Sequence, residues 1–206
     1  MRPLVFVDTE TTGLDPRRHE VYEISMTKVT SVDYEPEDAE SRDYWIEPRQ
    51  LQHAESGALQ VGRFYERRDK LDERVTGNLV NSEELRVLTA MEIARFTEGC
   101  HLVGAQVHFD AGFLNAFLRQ NGACPAWHHR LIDVESLAMA VLVGEDESWS
   151  RPQSLSEICE AFGIPRESHD AKTDCEAAHE AFFTLMRLAE RRQQVEERGT
   201  DGEDQS

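Results

Sequence analysis

Leu4-Val5-Phe6-Val7 is a short, unbroken apolar run that stops at Asp8, and Thr11-Thr12-Gly13-Leu14-Asp15-Pro16 follows with turn-forming residues. An apolar run of this length, bounded by turn chemistry, reads as a buried strand followed by a loop. Val21 to Thr30 is rich in Val, Tyr, Ile and Thr, and Asp43-Tyr44-Trp45-Ile46-Glu47-Pro48 is a further short run stopped by proline. The chain therefore opens with three strands, expected as an antiparallel meander.

The pattern then changes. From Asn81 or Ser82 a helix is expected, with Glu84 in its first turn, Leu85, Leu88, Met91 and Ile93 as its apolar positions, and Gly99 as its end. Leu102-Val103-Gly104 is a minimal strand, and Phe113, Leu114, Phe117 and Leu118 carry a helix closed by Asn121-Gly122. Leu131-Ile132-Asp133 reads as strand and Val134 to Val143 as helix. A short helix at Ser154 to Phe162 and a break at Gly163-Ile164-Pro165 precede a long helix from Lys172 to Arg192, whose stripe is Cys175, Ala178, Phe182, Met186 and Ala189. Strands followed by strand and helix in alternation give an α/β protein with a mixed sheet of five strands flanked by helices. Residues 1–192 read as one domain; 193–206 hold Val195 as their one large apolar residue, and an acidic, disordered tail is expected there.

Composition narrows the function. The 206 residues, 39% hydrophobic, suit one soluble domain with a short appendage. No apolar run approaches the roughly 18 to 20 residues of a membrane span, and the start lacks a secretory pattern, so no membrane association and a cytoplasmic location are expected. Cys100, Cys124, Cys159 and Cys175 form no CxxC pair, which argues against a zinc knuckle or a redox motif. The net charge of -18 repels polyanions at long range and counts against a passive nucleic-acid binder. It does not count against an enzyme that works through divalent cations, because a carboxylate cluster attracts them.

Three constellations can carry such chemistry. Asp8-Thr9-Glu10 ends the first strand; if extended geometry persists, both carboxylates share a face and repel unless a cation sits between them. A solvated strand end entering a Thr-Gly turn is the plainer alternative. Asp110 follows a short strand and opens a helix, where an acid also serves as an N-cap. His169-Asp170-Ala171-Lys172-Thr173-Asp174 joins a loop to a first helical turn, so that a histidine and a carboxylate can converge; Asp170 or Thr173 also suits a cap, and a loop histidine suits the surface.

In this order and spacing, Asp8-x-Glu10, Asp110 and His169-x-Ala171-x-x-Asp174 resemble the three motifs of the DnaQ-like exonucleases of the DEDDh type, which include polymerase proofreading exonucleases, ribonuclease T and oligoribonuclease. Asp8-Thr9-Glu10-Thr11-Thr12-Gly13-Leu14 is close to letter for letter the first of them, and the resemblance spans residues 3 to 190. It implies a ribonuclease H-like sheet, with Asp8, Glu10, Asp110 and Asp174 holding two divalent ions and His169 as general base. Four carboxylates and their oxygen ligands suit Mg²⁺ or Mn²⁺, and two such ions about 3.5–4 Å apart can activate a water and stabilise the leaving oxygen. An imidazole is suited to take the water's proton near neutral pH. The resemblance further implies that Thr11, Thr12, Gly13 and Leu14 shape the pocket for the 3′-terminal nucleotide, with Gly13 allowing close backbone approach and Leu14 wedging against the base or simply packing. Leu59 and Val61 would form the opposite wall, and Arg63-Phe64-Tyr65-Glu66-Arg67-Arg68 would offer phosphate contacts and base stacking, or else a solvated helix start.

The sequence departs from relatives at Ala105-Gln106, where they commonly carry His-Asn, so contacts of Gln106 near the terminal sugar differ and sugar preference stays open. His108, His128 and His129 are expected to have no role in the site. The expected activity is metal-dependent 3′→5′ removal of nucleoside 5′-monophosphates from single-stranded 3′ ends, DNA slightly favoured over RNA. An RNA-trimming or oligoribonuclease-like enzyme, and a non-catalytic subunit associated with a DNA polymerase, are the other readings. Oligomeric state is not written in the sequence.

Overall fold

The structure, a computed structural model, describes residues 2–30, 39–71, 79–144, 147–166 and 169–203, without the side chains of 147–148 and 195–203. Strand β1 (Leu4–Thr11) lies inside a sheet because its two faces are both apolar: Val5 and Val7 enter one buried cluster, Leu4 and Phe6 another. β2 (Val21–Val29) and β3 (Glu40–Ile46) pair antiparallel in succession, the expected meander. β5 (His101–Gly104) joins the other side of β1 in parallel, β6 (Ile132–Asp133) follows it in parallel, and β4 (Leu79–Val80) runs parallel to β3. The order is β4-β3-β2-β1-β5-β6, six strands where five are expected. The added strand β4 has two residues, paired as Trp45 to Leu79 and Ile46 to Val80, and two residues carry no periodicity to read.

Helices α3 (Glu83–Phe96) and α4 (Val107–Gln120) cover the Val5 and Val7 face. α5 (Val134–Leu142), α6 (Leu155–Phe162) and α7 (Ala171–Glu203) cover the Leu4 and Phe6 face, where Phe6 meets the rings of His179, Phe182 and Phe183. The described residues between β3 and β4 include two short α-helices, α1 (Ser56–Val61) and α2 (Phe64–Asp69), and Phe64 seals a third cluster with Tyr22 and Trp45.

Local signals set the helix ends. Ser82 caps α3 as expected, accepting from the Leu85 N–H at 3.2 Å. The face α3 buries, however, is Arg86, Thr89, Ala90, Ile93 and Phe96, while Leu85, Leu88 and Met91 point outward. Arg86 holds this rotation by donating to the Glu47 carbonyl. α4 begins at Val107 after Gln106, whose backbone is left-handed at φ 52°, so Asp110 sits within the first turn and does not cap it. α6 has a full capping box, Ser154 with Glu157, and stops at left-handed Gly163.

α7 begins as expected but continues to Glu203, so 193–203 are helical where a disordered tail is expected; 204–206 lie outside the described residues. Gln193, Gln194, Glu196, Glu197 and Arg198 are strong helix formers, and extending an existing helix needs no new nucleus. All four cysteines are free thiols. No described helix is long and apolar enough to cross a membrane.

Candidate active site

Strand geometry persists through Thr11, so Asp8 and Glu10 share the Phe6 face of β1 and look toward α7. Thr9 faces the other way and donates its hydroxyl to Asp110 Oδ1 at 2.7 Å. That bond draws the buried first turn of α4 to the strand end. Gly104 permits the approach: a Cβ there would stand 2.6 Å from the Val7 carbonyl oxygen. The β1–β2 register slips between Glu10 and Thr11, immediately beyond the point where Glu10 lies opposite Glu23. The extra residue is Tyr22 on β2, and a bulge at this place bends β2 beside the acid pair of β1.

The remaining two groups come from the start of α7. Asp170 caps the helix by accepting from the Thr173 N–H at 3.2 Å, and Asp174 follows one turn on, buried. His169 holds a left-handed backbone at φ 63° and donates its N–H to Asp174 Oδ2 at 3.1 Å. Glu10, His169 and Asp174 each offer a ligand atom, and these atoms lie within 4.8 Å of one another.

The electrostatics of the cluster favour a cation. Burial pushes the Asp8 carboxyl well above its ordinary value, reinforced by Asp110, Asp174 and Glu10. Burial, then Glu23, raises Glu10 to about 8 against the pull of Arg67, and burial raises Asp110 to about 7 against the hydrogen bond from Thr9. Each ionised form is disfavoured, and a cation among them relieves the repulsion. Hard oxygen donors packed so closely fit a divalent cation of the Mg²⁺ or Mn²⁺ kind.

Two arginines supply part of that charge, and sequence reasoning missed both in this role. Arg166 grips Asp174 with both ends of its guanidinium, Nε to Oδ1 at 2.6 Å and Nη2 to Oδ2 at 2.8 Å, and its charge also reaches Asp8. Arg67 pairs with Glu23 and with Asp170. The one available signal was the need of an acidic cluster for counter-charge near His169.

The turn after β1 is built from side chains. Thr11 donates its hydroxyl to the Gly13 carbonyl at 2.8 Å, and Thr12 accepts the Glu20 N–H at 2.9 Å. The His19 ring occupies the space beside Gly13, where a Cβ would come within 2.5 Å of it, and its Nδ1 accepts the Asp15 N–H at 3.0 Å. Gly13 is thus required by His19, which was not foreseen, and that is a different reason from close approach of a nucleotide. Leu14 crowns the turn at 72% exposure, which rules out its use as packing.

Helix α1 flanks the same turn. The Glu55 N–H just before it donates to the Thr12 carbonyl at 2.8 Å, and at its far end a Cβ on Gly62 would overlap the Tyr22 hydroxyl and lie 3.0 Å from Glu10 Oε2. The helix therefore spans from the Thr12 turn to the Glu10 carboxylate. Val61 is exposed at its end, whereas Leu59 packs inward against the Tyr22, Trp45 and Phe64 cluster.

Of the 63–68 stretch, Phe64 and Arg67 are buried, Arg68 pairs with Glu47 and Glu66 with Lys70, which leaves Arg63 and Tyr65 facing out. Gln106 is exposed at the entry to α4. His108 is exposed on α4, and the His128 ring meets His101, at the start of β5, edge-on and lies against His129, at the sheet end opposite the acids. Burial pushes the Cys175 thiol far up, which suits a core residue.

A mixed ribonuclease H-like sheet with acids gathered at the ends of β1, at α4 and at α7 defines the class. Within it, the model of the RNase_T exonuclease family matches residues 70–182, more than half of the sequence, and the chain belongs to that family. The match takes in Asp110, His169 and Asp174; the fold adds Asp8 and Glu10. Among solved structures, Escherichia coli exonuclease I in complex with a dT13 oligonucleotide superposes with a TM-score of 0.68 at 18% identity, over 95% of this chain and 43% of that one. The zinc-bound E. coli exonuclease I complex with single-stranded DNA gives 0.66 at 21% identity, over 94% and 41%. Exonuclease I from Methylocaldum szegediense gives 0.62 at 17%, over 94% and 41%. At these identities the likeness is one of fold, and the chain spans about two fifths of the length of those proteins. No curated protein matches the sequence.

Proposed function

We propose that the chain is a metal-dependent 3′→5′ exonuclease that hydrolyses single-stranded nucleic-acid ends to nucleoside 5′-monophosphates. The observation that carries this reading is the convergence of Asp8, Glu10, Asp110 and Asp174 with His169 at one sheet end, in a member of an exonuclease family. Asp8, Glu10, Asp110 and Asp174 would hold two divalent cations, which when bound would make a water more acidic and offset charge on the phosphate. His169, exposed beside Glu10 and Asp174, accepts the water's proton. The Thr11 to Leu14 turn and the end of α1 receive the terminal nucleotide, with exposed Leu14 and Val61 offering apolar contact to its base and Gln106 lying toward its sugar. Their exposure supports the assignment, since an empty base site needs apolar surface that the core does not use. Single-stranded DNA is the favoured substrate, as in the oligonucleotide complexes of exonuclease I.

The test compares hydrolysis of DNA and RNA strands of one sequence, as 20-mers and as dinucleotides, in Mg²⁺, Mn²⁺ and EDTA. Metal-dependent shortening of DNA ahead of RNA is expected. Faster turnover of dinucleotides would move the assignment to an oligoribonuclease-like enzyme, and intact substrates in every condition would overturn it.

A further inference from the structure

Arg67 is a buried arginine on a surface helix, and its guanidinium meets four separate segments. It pairs with both carboxylate oxygens of Glu23 on β2 and with Asp170 Oδ2 at 3.0 Å, and it donates to the carbonyls of His169 at 3.2 Å and Gly62 at 3.5 Å. The face of Trp45 lies beneath it, 5.9 Å from ring centre to guanidinium carbon. A planar fork of donors is the group suited to join several oxygens at once, which a lysine's point charge is not.

The segments it joins belong to the site from opposite sides. Glu23 lies directly across the ladder from Glu10, a like-charge pairing that a cation must relieve. Gly62 ends the α1 wall against Glu10. His169 stands in left-handed backbone, a conformation a side-chain-bearing residue keeps only where its surroundings enforce it. Its backbone is held on both sides, the N–H by Asp174 and the carbonyl by Arg67. Among the described residues no hydrogen bond fixes the exposed imidazole itself, so the backbone hold sets where the ring stands.

We infer that Arg67 is a positioning residue for His169: by gripping Glu23, Asp170 and the His169 carbonyl together, it locks the imidazole beside the carboxylates and ties it to the α1 wall. In this role Arg67 acts through His169 and not on the substrate. The inference rests on His169 being the general base, as proposed above.

The experiment is a double-mutant cycle on a 5′-labelled DNA strand in Mn²⁺, with the parent, Arg67→Met, His169→Ala and the double variant. A parent without metal-dependent activity, or a His169→Ala variant as fast as the parent, overturns the exonuclease reading or the base assignment and this inference with it. Where those hold, Arg67→Met is expected to lower kcat roughly 30-fold with KM within about 3-fold, and to change the residual rate of His169→Ala by less than about 2-fold, because groups that act as one unit are not additive. An equal loss in both backgrounds overturns the inference, since Arg67 would then act on the fold at large. The Mn²⁺-induced rise in melting temperature is expected to be no smaller than the parent's, because losing the Arg67 charge leaves Glu10 and Glu23 less compensated; its loss would place Arg67's effect on the carboxylates' hold on metal and overturn the inference as well. If Arg67→Met does not fold, Asp170→Asn keeps the helix cap and weakens one grip, and a smaller loss, about 5-fold, is expected to vanish in the His169→Ala background in the same way. An unchanged rate in Asp170→Asn, or a loss that persists in that background, overturns it.

Discussion

Asp174 is held by Arg166 through both carboxylate oxygens and by the His169 N–H, so the residue proposed to ligate metal already has a partner in the protein. Arg166 is the local counter-charge of the cluster, and it competes with an incoming cation for the same oxygens. Removing it leaves Asp174 beside Asp8 with less compensation. Arg166→Gln is therefore expected to melt lower than the parent in EDTA and to gain more from added Mn²⁺, measured as the shift in melting temperature; a smaller gain than the parent's would contradict the competition. The residues proposed to carry chemistry were legible because their types and order form a pattern: Asp8, Glu10, Asp110, His169 and Asp174. Arg67 and Glu23 were not, because they meet across distant segments of the chain; Arg166 and His19 act on nearby Asp174, Asp15 and Gly13, but nothing local marks an arginine or a histidine as buried.

Among the elements, β1 and α7 do most to place the site. β1 is held on the α7 side by Phe6, fully buried against His179, Phe182 and Phe183. Two residues on, Asp8 emerges on the same face. Phe6→Ala is expected to destabilise the protein by about 3–5 kcal/mol, read from chemical denaturation, because the ring leaves a cavity that its rigid neighbours fill only partly; a loss below about 1 kcal/mol would mean that the interface repacks freely. Long apolar patterns made β1, β2, α4 and the first half of α7 readable. The rotation of α3 was not, since the Leu85, Leu88 and Met91 stripe is the more apolar one, yet Arg86, Ile93 and Phe96 are what the core accepts. α1 and β4 escaped notice for a simpler reason: six residues and two residues are too few for a period to show.

At the scale of the whole molecule, a chain of net charge -18 concentrates carboxylates at one end of its sheet, and this makes its stability depend on protons or metal. Glu10 at about 8 and Asp110 at about 7 stand well above carboxyls in an unfolded chain, which titrate near 4. Through neutral pH the folded state thus holds more protons than the unfolded one, and stability falls as pH rises. His179, kept near 4 by burial, is neutral in both states above about pH 7, so it does not mask the effect there. In EDTA the melting temperature is expected to fall between about pH 7 and 8.5, and saturating Mn²⁺ is expected to remove most of that slope, since the cation replaces the protons. A flat profile in EDTA, or one that Mn²⁺ leaves unchanged, would contradict the raised carboxyl values.

The measurement that bears most directly on function follows the product from a 3′-labelled single strand in Mg²⁺, with Asp174→Ala beside the parent. The account predicts that the label leaves first and wholly as a nucleoside 5′-monophosphate, and that Asp174→Ala, folded as judged by circular dichroism, releases less than about a tenth as much. Label appearing in longer fragments, or release undiminished in Asp174→Ala, would contradict it.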